Sequence, residues 1–461
     1  MRTGLTRGLK KVLGSWQRSR RYPRPLDTRT LARIREQLRD CASGTGGEVS
    51  ARQRAQRLGE TYLKLDEAGR HAVLRAIATE FGPDPDKVAA AHADYQQSLG
   101  TPAQWEAEAR LWRALRSPRT RILTQFNALP QGVRFLVDLR VDLLRCIKED
   151  PELASLDREL EHCLAAWFDV GFLELRRITW QSPAALLEKL IQYEAVHTIH
   201  SWADLKNRLD SDRRCYGFFH PRMPDDPLIF VEVALTDHLA GNIQALLDEH
   251  APVFDAASAD TAIFYSISNT QTGLRGVSFG NFLLKRVIED LKRDFPRLKQ
   301  FATLSPLPLL ARWAGATLAT ETQACMPNEI ARIARASGTV DPAEGVRALL
   351  ATPETLDPRM KRLLQTTLTR LAARYLLHAK HGDKGMMPYD PVARFHLGNG
   401  ARIERLNFLA DTSAKGLQQS FGMMVNYLYD PGAIEENVEN LLNAGKIVAS
   451  SSVRQAARIA A

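Results

Sequence analysis

Two folds in series are what this sequence predicts: an all-helical bundle over residues 1–175, then a mixed-sheet α/β domain with helical insertions over residues 176–461. Three observations carry that expectation. The 461 residues are too many for one hydrophobic core. The first part repeats apolar residues at three- and four-residue spacing, with no β-rich stretch between them. Beyond residue 175, short β-branched and aromatic runs alternate with helical ones, the pattern of a sheet carrying helices.

In the helical part, the segment ARQRAQRLGETYLKLDEAGRHAVLRAIATEF at 51–81 sets the period, with Ala, Leu, Arg and Glu filling the remaining positions. Its breaks are chemical: Gly82-Pro83, Asp84-Pro85, Ser117-Pro118, Pro130-Gln131-Gly132 and Asp150-Pro151. No catalytic constellation is visible there, so its expected role is structural, in oligomer contacts. In the second part the predicted strands are 213–219, 228–235, 262–268, 298–304 and 402–409, with helices over 281–295 and 358–381. The stretch 314–357, broken by Gly, Pro and Thr, reads as a helical insertion between core strands.

Composition excludes several classes. Residues 1–24 carry eight basic side chains and no acidic one, and so account for eight of the nine net positive charges. The body therefore has no field to gather a nucleic acid, and none is expected as partner. No apolar run approaches the roughly 18 residues that span a bilayer, so no membrane role is expected. The basic tail is read as a solvated terminus, with a transit peptide or a membrane-surface helix as alternatives. Cys41, Cys146, Cys163, Cys215 and Cys325 are scattered, odd in number and without a CxxC, which fits a reducing compartment. The pairs His197/His200 and His378/His381 lack further ligands at metal spacing, and no metal is expected.

The sharpest local mechanics lie at 262–295. A strand, AIFYSIS, enters the polar loop NTQTGLRGVSFG, which opens an amphipathic helix. Unpaired N–H groups and the dipole at such a helix start make a cradle for a pyrophosphate. Gly276 and Gly280 let the backbone approach it closely. No GK[ST] follows, against a Walker A loop, and GxGxxG is absent, against a dinucleotide fold. Lys285 and Arg286, further along the helix, either reach a phosphate or form its solvated face.

The loop resembles the acyl-CoA site of the GNAT superfamily, whose pattern is Arg/Gln-x-x-Gly-x-Gly/Ala. Here Arg275, Ser278 and Gly280 stand at the Arg and the two Gly positions, Ser278 being a departure. Over roughly 175–450 the chain is similar to one GNAT-like family, malonyl-CoA decarboxylase. The likeness is carried by YEAVHTIHSWADLKNRL (193–209), PLIFVEVALT (227–236), AIFYSISNTQTGLRGVSFGNFLLKRV (262–287), TLSPLPLLARW (303–313) and PVARFHLGNGARIERLNFLADTSAKGLQQSFGMMVNYLYD (391–430). The resemblance implies a GNAT-like sheet after the helical bundle, with Arg275, Gly276, Val277, Ser278, Phe279 and Gly280 as the CoA pyrophosphate loop. It implies Ser305 of L-S-P-x-P, His396 of F-H-L-x-N-G-A and Tyr429 near N-Y-x-Y as catalytic residues. The family's animal members carry a glutamate where Ser278 stands, so an acidic role there does not transfer.

Those residue types suit the implied reaction. Loss of CO2 from a malonyl thioester leaves an enolate, and a donor at its oxygen acts as an oxyanion hole. His396 is expected to be that donor or to protonate the enolate carbon. Ser305 is expected to hold the departing carboxylate, and Tyr429 to add a hydroxyl. The thioester is the electron sink, so no cofactor is expected beyond the CoA of the substrate. The partners expected are malonyl-CoA and acetyl-CoA, with a homodimer or homotetramer from the resemblance. The competing functions are acyl transfer from acyl-CoA to an amine or hydroxyl, and CoA sensing without turnover. The expected compartment is a bacterial cytoplasm, with the mitochondrial matrix as the eukaryotic alternative.

Overall fold

The structure, a computed structural model, describes residues 25–43, 48–277, 282–320, 327–381 and 386–458. Of the expectations above, the basic tail, Cys325 and the loop residues Ser278, Phe279 and Gly280 lie outside them. The chain forms two compact units. One holds residues up to Leu173 with the short returns His220–Pro224 and Gln271–Ser278; the other holds the rest.

The first unit is helical. Its helices run Thr28–Ser43, Glu48–Lys64, Glu67–Glu80, Pro85–Ser98, Gln104–Leu115, Pro118–Asn127, Gly132–Cys146 and Ala154–Trp167. The sequence breaks become caps. Asp84 accepts from Asp86 N and Lys87 N ahead of Pro85, and Ser117 accepts from Arg119 N ahead of Pro118. A proline at the first helical position loses no hydrogen bond, and the capping oxygen satisfies free N–H groups. The helix Gly132–Cys146 is central: Val133, Phe135, Leu136, Val137, Leu139, Arg140 and Leu143 are buried. Phe135 meets Phe126 at 4.9 Å and Tyr62 edge-on at 5.8 Å.

The second unit is built on a sheet of eight strands among the described residues: β1 (Glu174–Ile178), β2 (Arg213–His220), β3 (Met223–Thr236), β4 (Thr261–Asn269), β5 (Gln300–Thr303), β6 (Ser305–Pro306), β9 (Arg402–Asn407) and β10 (Met424–Tyr429). The order is β1-β2-β3-β4-β5-β10-β6, with β9 also on β10. Two short strands, β7 (Lys380–His381) and β8 (Met387–Pro388), pair separately. Leu228 to Thr236 of β3 are buried without interruption, as a strand covered on both faces requires. Glu232 is the one charged side chain of that run; it meets the buried Arg208 at 3.2 Å, and burial pushes its carboxyl up to about 8.

β4 and β5 pair parallel and are joined by the helix Phe282–Asp294, as such a crossover needs. The predicted strands at 213–219, 228–235, 262–268, 298–304 and 402–409 are thus present, and 314–357 is helical at Leu310–Thr320, Pro327–Ser337 and Pro342–Leu350. β1, β6 and β10 were not expected. β1 and β6 are short, and the apolar MVNYLY of β10 lacks the alternation that marks a half-exposed strand. Among the described residues no helix is long and apolar enough to cross a membrane.

Candidate active site

β10 pairs with β5 and β6 along one edge and with β9 along the other, and it draws the predicted residues together. It pairs antiparallel with β5 through Leu428↔Ala302 and Tyr429↔Phe301, and with β6 through Met424↔Pro306 and Val425↔Ser305. The two ladders keep a single register, and it is the pairing of β10 with β9 that shifts, between Asn426 and Tyr427. Asn426, fully buried, fills that gap. Its Nδ2 donates to Thr303 O (2.7 Å) and Ala240 O (2.9 Å), and its Oδ1 accepts from Asn407 Nδ2 (2.8 Å) and Arg405 Nε (3.1 Å). Four bonds satisfy the whole amide, so a polar side chain holds a place where the ladder cannot close itself.

His396 comes from the helix Pro391–Gly398. The sequence starts that helix twice over, with Pro391 at its first turn and Asp390 accepting from Val392 N (2.8 Å) and Ala393 N (2.9 Å). The other Asp390 oxygen accepts from the Tyr375 hydroxyl at 2.8 Å. Beyond the helix, Gly400 turns at φ 83°, where a Cβ would sit 2.4 Å from Ile434 O. That turn takes glycine only.

Ser305, His396 and Tyr429 form one buried chain. The Ser305 Oγ lies 3.1 Å from His396 Nε2, and His396 Nδ1 lies 2.8 Å from the Tyr429 hydroxyl. Ser305 also donates to Thr303 Oγ1 at 2.8 Å, which in turn accepts from Tyr427 N. The Tyr427 ring stacks on the imidazole at 4.7 Å. The protonation state follows from these contacts. With its proton given to Thr303, Ser305 can only accept from the imidazole, so Nε2 carries the hydrogen. Burial without a charged partner pushes His396 down to about 3, so the ring is neutral and Nδ1 is bare. The Tyr429 phenol, raised well above its usual value by burial, keeps its proton and donates it to Nδ1. Hydrogen bonds therefore run one way, from Tyr429 through His396 and Ser305 to Thr303.

The chain opens on a cleft of about 240 Å3, lined by Ser305, Pro306, Phe395 and His396 together with Phe264, Tyr265 and Ser266. Among the described residues no Lys or Arg lines it. Behind Ser266 lies Glu194, whose carboxylate accepts from Ser266 Oγ, Ser268 Oγ, Val196 N and His197 N.

The buried neutral imidazole has a consequence for stability. An unfolded His396 takes up a proton below its ordinary value near 6.5, whereas the folded one resists until about 3. Its share of stability is complete above pH 6.5 and falls as pH drops toward 3, by at most about 1.4 kcal/mol per pH unit. His197, pushed down to about 4 by burial, adds in the same direction. Urea midpoints at pH 7 and pH 5 test this: the drop in the wild type is expected to shrink in His396→Gln, and an equal drop in both would contradict it.

His396 stands on a helix, whose Asp-Pro start at 390–391 is visible in the sequence. Thr303, Asn426 and Tyr427 were missed, although Thr303 shares a strand face with Ser305, and Tyr427 with Tyr429, by simple alternation. Of the loop residues, Arg275 and Gly276 are exposed, Val277 is buried, and Gly276 has φ 89°. Lys285 is 3.3 Å from Glu435, so it has a protein partner. Among the described residues no group of three His, Cys, Asp or Glu is arranged to hold a metal ion.

Comparison with known proteins gives a consistent result. Residues 171–461 match the model of the malonyl-CoA decarboxylase C-terminal domain, and residues 81–168 that of its N-terminal domain. The chain is 38% identical over 447 residues to the mitochondrial malonyl-CoA decarboxylase of Rattus norvegicus, covering 93% of this chain and 86% of that protein. To the mitochondrial malonyl-CoA decarboxylase of Anser anser anser it is 37% identical over 425 residues, covering 87% and 83%. The crystal structure of malonyl-CoA decarboxylase from Rhodopseudomonas palustris superposes with a TM-score of 0.83 at 42% identity, over 94% of this chain and 100% of that one. That from Cupriavidus metallidurans superposes with a TM-score of 0.73 at 44% identity, over 93% and 100%.

Proposed function

The chain belongs to the malonyl-CoA decarboxylase family, and on that premise we propose that it converts malonyl-CoA to acetyl-CoA and CO2 at the cleft holding Ser305 and His396. The observation that carries the reading is the directed run of hydrogen bonds that ends at Ser305. Malonyl-CoA must lose a C–C bond, leave its electron pair on the thioester as an enolate, and take up one proton from water. The Ser305 hydroxyl turns from Thr303 to the thioester oxygen. There it meets the growing negative charge as a donor, while the N–H of His396 behind it strengthens that donation. The serine needs no deprotonation and forms no acyl intermediate, because its histidine neighbour is donor and not base.

The carboxylate leaves from a cleft whose described lining holds no Lys or Arg, where neutral CO2 is favoured over the anion. The reading needs no metal or cofactor besides the CoA of the substrate, and it assigns Arg275, Gly276 and Val277 to the pyrophosphate. Tyr429 fixes which ring nitrogen carries the hydrogen. Tyr429→Phe is therefore expected to lower kcat by about tenfold, the size of one buried hydrogen bond, with KM little changed. Steady-state kinetics with malonyl-CoA check this, and an unchanged kcat would remove Tyr429 from the mechanism.

The test of the whole reading is incubation with malonyl-CoA alone. Release of equal amounts of CO2 and acetyl-CoA without any acceptor supports it. Turnover of acetyl-CoA only after an amine is added would replace it with acyl transfer, and binding without turnover with sensing.

A further inference from the structure

Arg140 is the largest fully buried side chain of the helical unit, and the chemistry above does not use it. It lies on the helix Gly132–Cys146, 2% exposed, with every arm of its guanidinium engaged. Nε donates to Asp157 (2.8 Å) and Nη2 to Glu161 (2.8 Å), both on the helix Ala154–Trp167. Nη1 donates to two backbone carbonyls of a distant segment, Gly273 O (3.1 Å) and Arg275 O (2.6 Å). That segment is pressed against the same helix: a Cβ on Gly273 would lie 2.0 Å from Val137 O.

Holding a carbonyl inward fixes the N–H on the other side of the same peptide. The peptide between Arg275 and Gly276 is trans, so its N–H points opposite to the carbonyl that Arg140 holds. Gly276 is exposed, and its N–H has no partner among the described residues. The neighbouring N–H groups of Leu274, Arg275 and Val277 are all used within the turn. A donor without a partner among the described residues thus stands beside the exposed Arg275. Gly276 must be glycine for this, since its φ is 89° and a Cβ would lie 2.5 Å from the Glu161 carboxylate that Arg140 binds.

We propose that Arg140 is a positioning residue for substrate binding: it holds the 273–276 backbone so that the Gly276 N–H and the Arg275 side chain are preset for a phosphate of CoA. This rests on the assignment of that loop to the CoA pyrophosphate. It gives the helical unit a part in substrate affinity, through an arginine that never touches substrate.

The experiment compares malonyl-CoA with malonyl-pantetheine, which lacks the nucleotide and pyrophosphate, in the wild type and in Arg140→Lys. Lysine keeps the buried charge but cannot hold two carbonyls and two carboxylates in one plane. The wild type should favour malonyl-CoA. In Arg140→Lys that preference should fall about tenfold, through KM, with kcat for malonyl-CoA within about twofold and malonyl-pantetheine turnover unchanged. Asp157→Asn, which loosens the arginine without leaving a buried charge unpaired, should shift the preference the same way by a smaller factor; it serves if Arg140→Lys does not fold. Equal losses with both substrates would show a merely structural arginine and overturn the proposal, as would an undiminished preference. A wild type indifferent to the nucleotide half would overturn the loop assignment itself, and this inference with it.

Discussion

Replacement of His396 by alanine is expected to lower kcat for malonyl-CoA by roughly 10²–10³-fold, the cost of losing a preorganised donor at an oxyanion, while CoA is still bound. The substitution removes the N–H behind Ser305 and leaves the Tyr429 hydroxyl without its acceptor. Ser305→Ala should cost a similar factor, because the two act as one donor unit. The double variant is then expected to be no slower than the worse single variant by more than a few-fold, since a unit can be broken only once. His396→Gln should recover part of the rate, as its amide can still donate. Single-turnover rates with malonyl-CoA decide the matter: fully additive losses would mean that serine and histidine serve different steps, and near-wild-type rates would displace the site.

The second large effect concerns stability. Asn426→Ala should destabilise the sheet unit by about 3–5 kcal/mol, since it strips partners from Thr303 O, Ala240 O, Asn407 Nδ2 and Arg405 Nε at once. For a unit of this size the corresponding fall in Tm is roughly 10 °C. Activity should also suffer below the melting transition, because the Thr303 backbone that Asn426 holds adjoins the Ser305–His396 contact. Thermal unfolding followed by near-UV circular dichroism checks this, and a Tm within about 2 °C of wild type would show that water replaces the amide in that gap.

Much of this architecture was legible because its signals are local. Proline after Ser or Asp marked helix starts, as at Ser117-Pro118 and Asp84-Pro85, and the unbroken apolar run at 228–235 marked a buried strand. Ser305, His396 and Tyr429 were singled out by motif, and the structure gathers them. What escaped depends on distant partners. The two residues of β6 form a strand only because β10 lies beside them. Asn426 reads as one polar residue in an apolar run until its four partners, from Arg405 to Ala240 and Thr303, are seen together. Nor does the sequence say which ring nitrogen of His396 carries the proton, since that depends on Thr303 and Tyr429, 93 residues before and 33 residues after it.

The position of β10 also bears on how the protein is made. The strand that joins β9 to β5 and β6 and carries Tyr429 spans residues 424–429. Until the ribosome has released that stretch, β9 has no strand through which to join the nascent sheet, and Ser305 has no neighbour on that side. The helical unit can fold early, but the active centre of the second unit waits until residues 424–429 are synthesised. Chaperone demand should peak in that interval, when β5 presents an unpaired edge. A nonsense codon anywhere before residue 424 then yields not a weakened enzyme but one with no active centre at all.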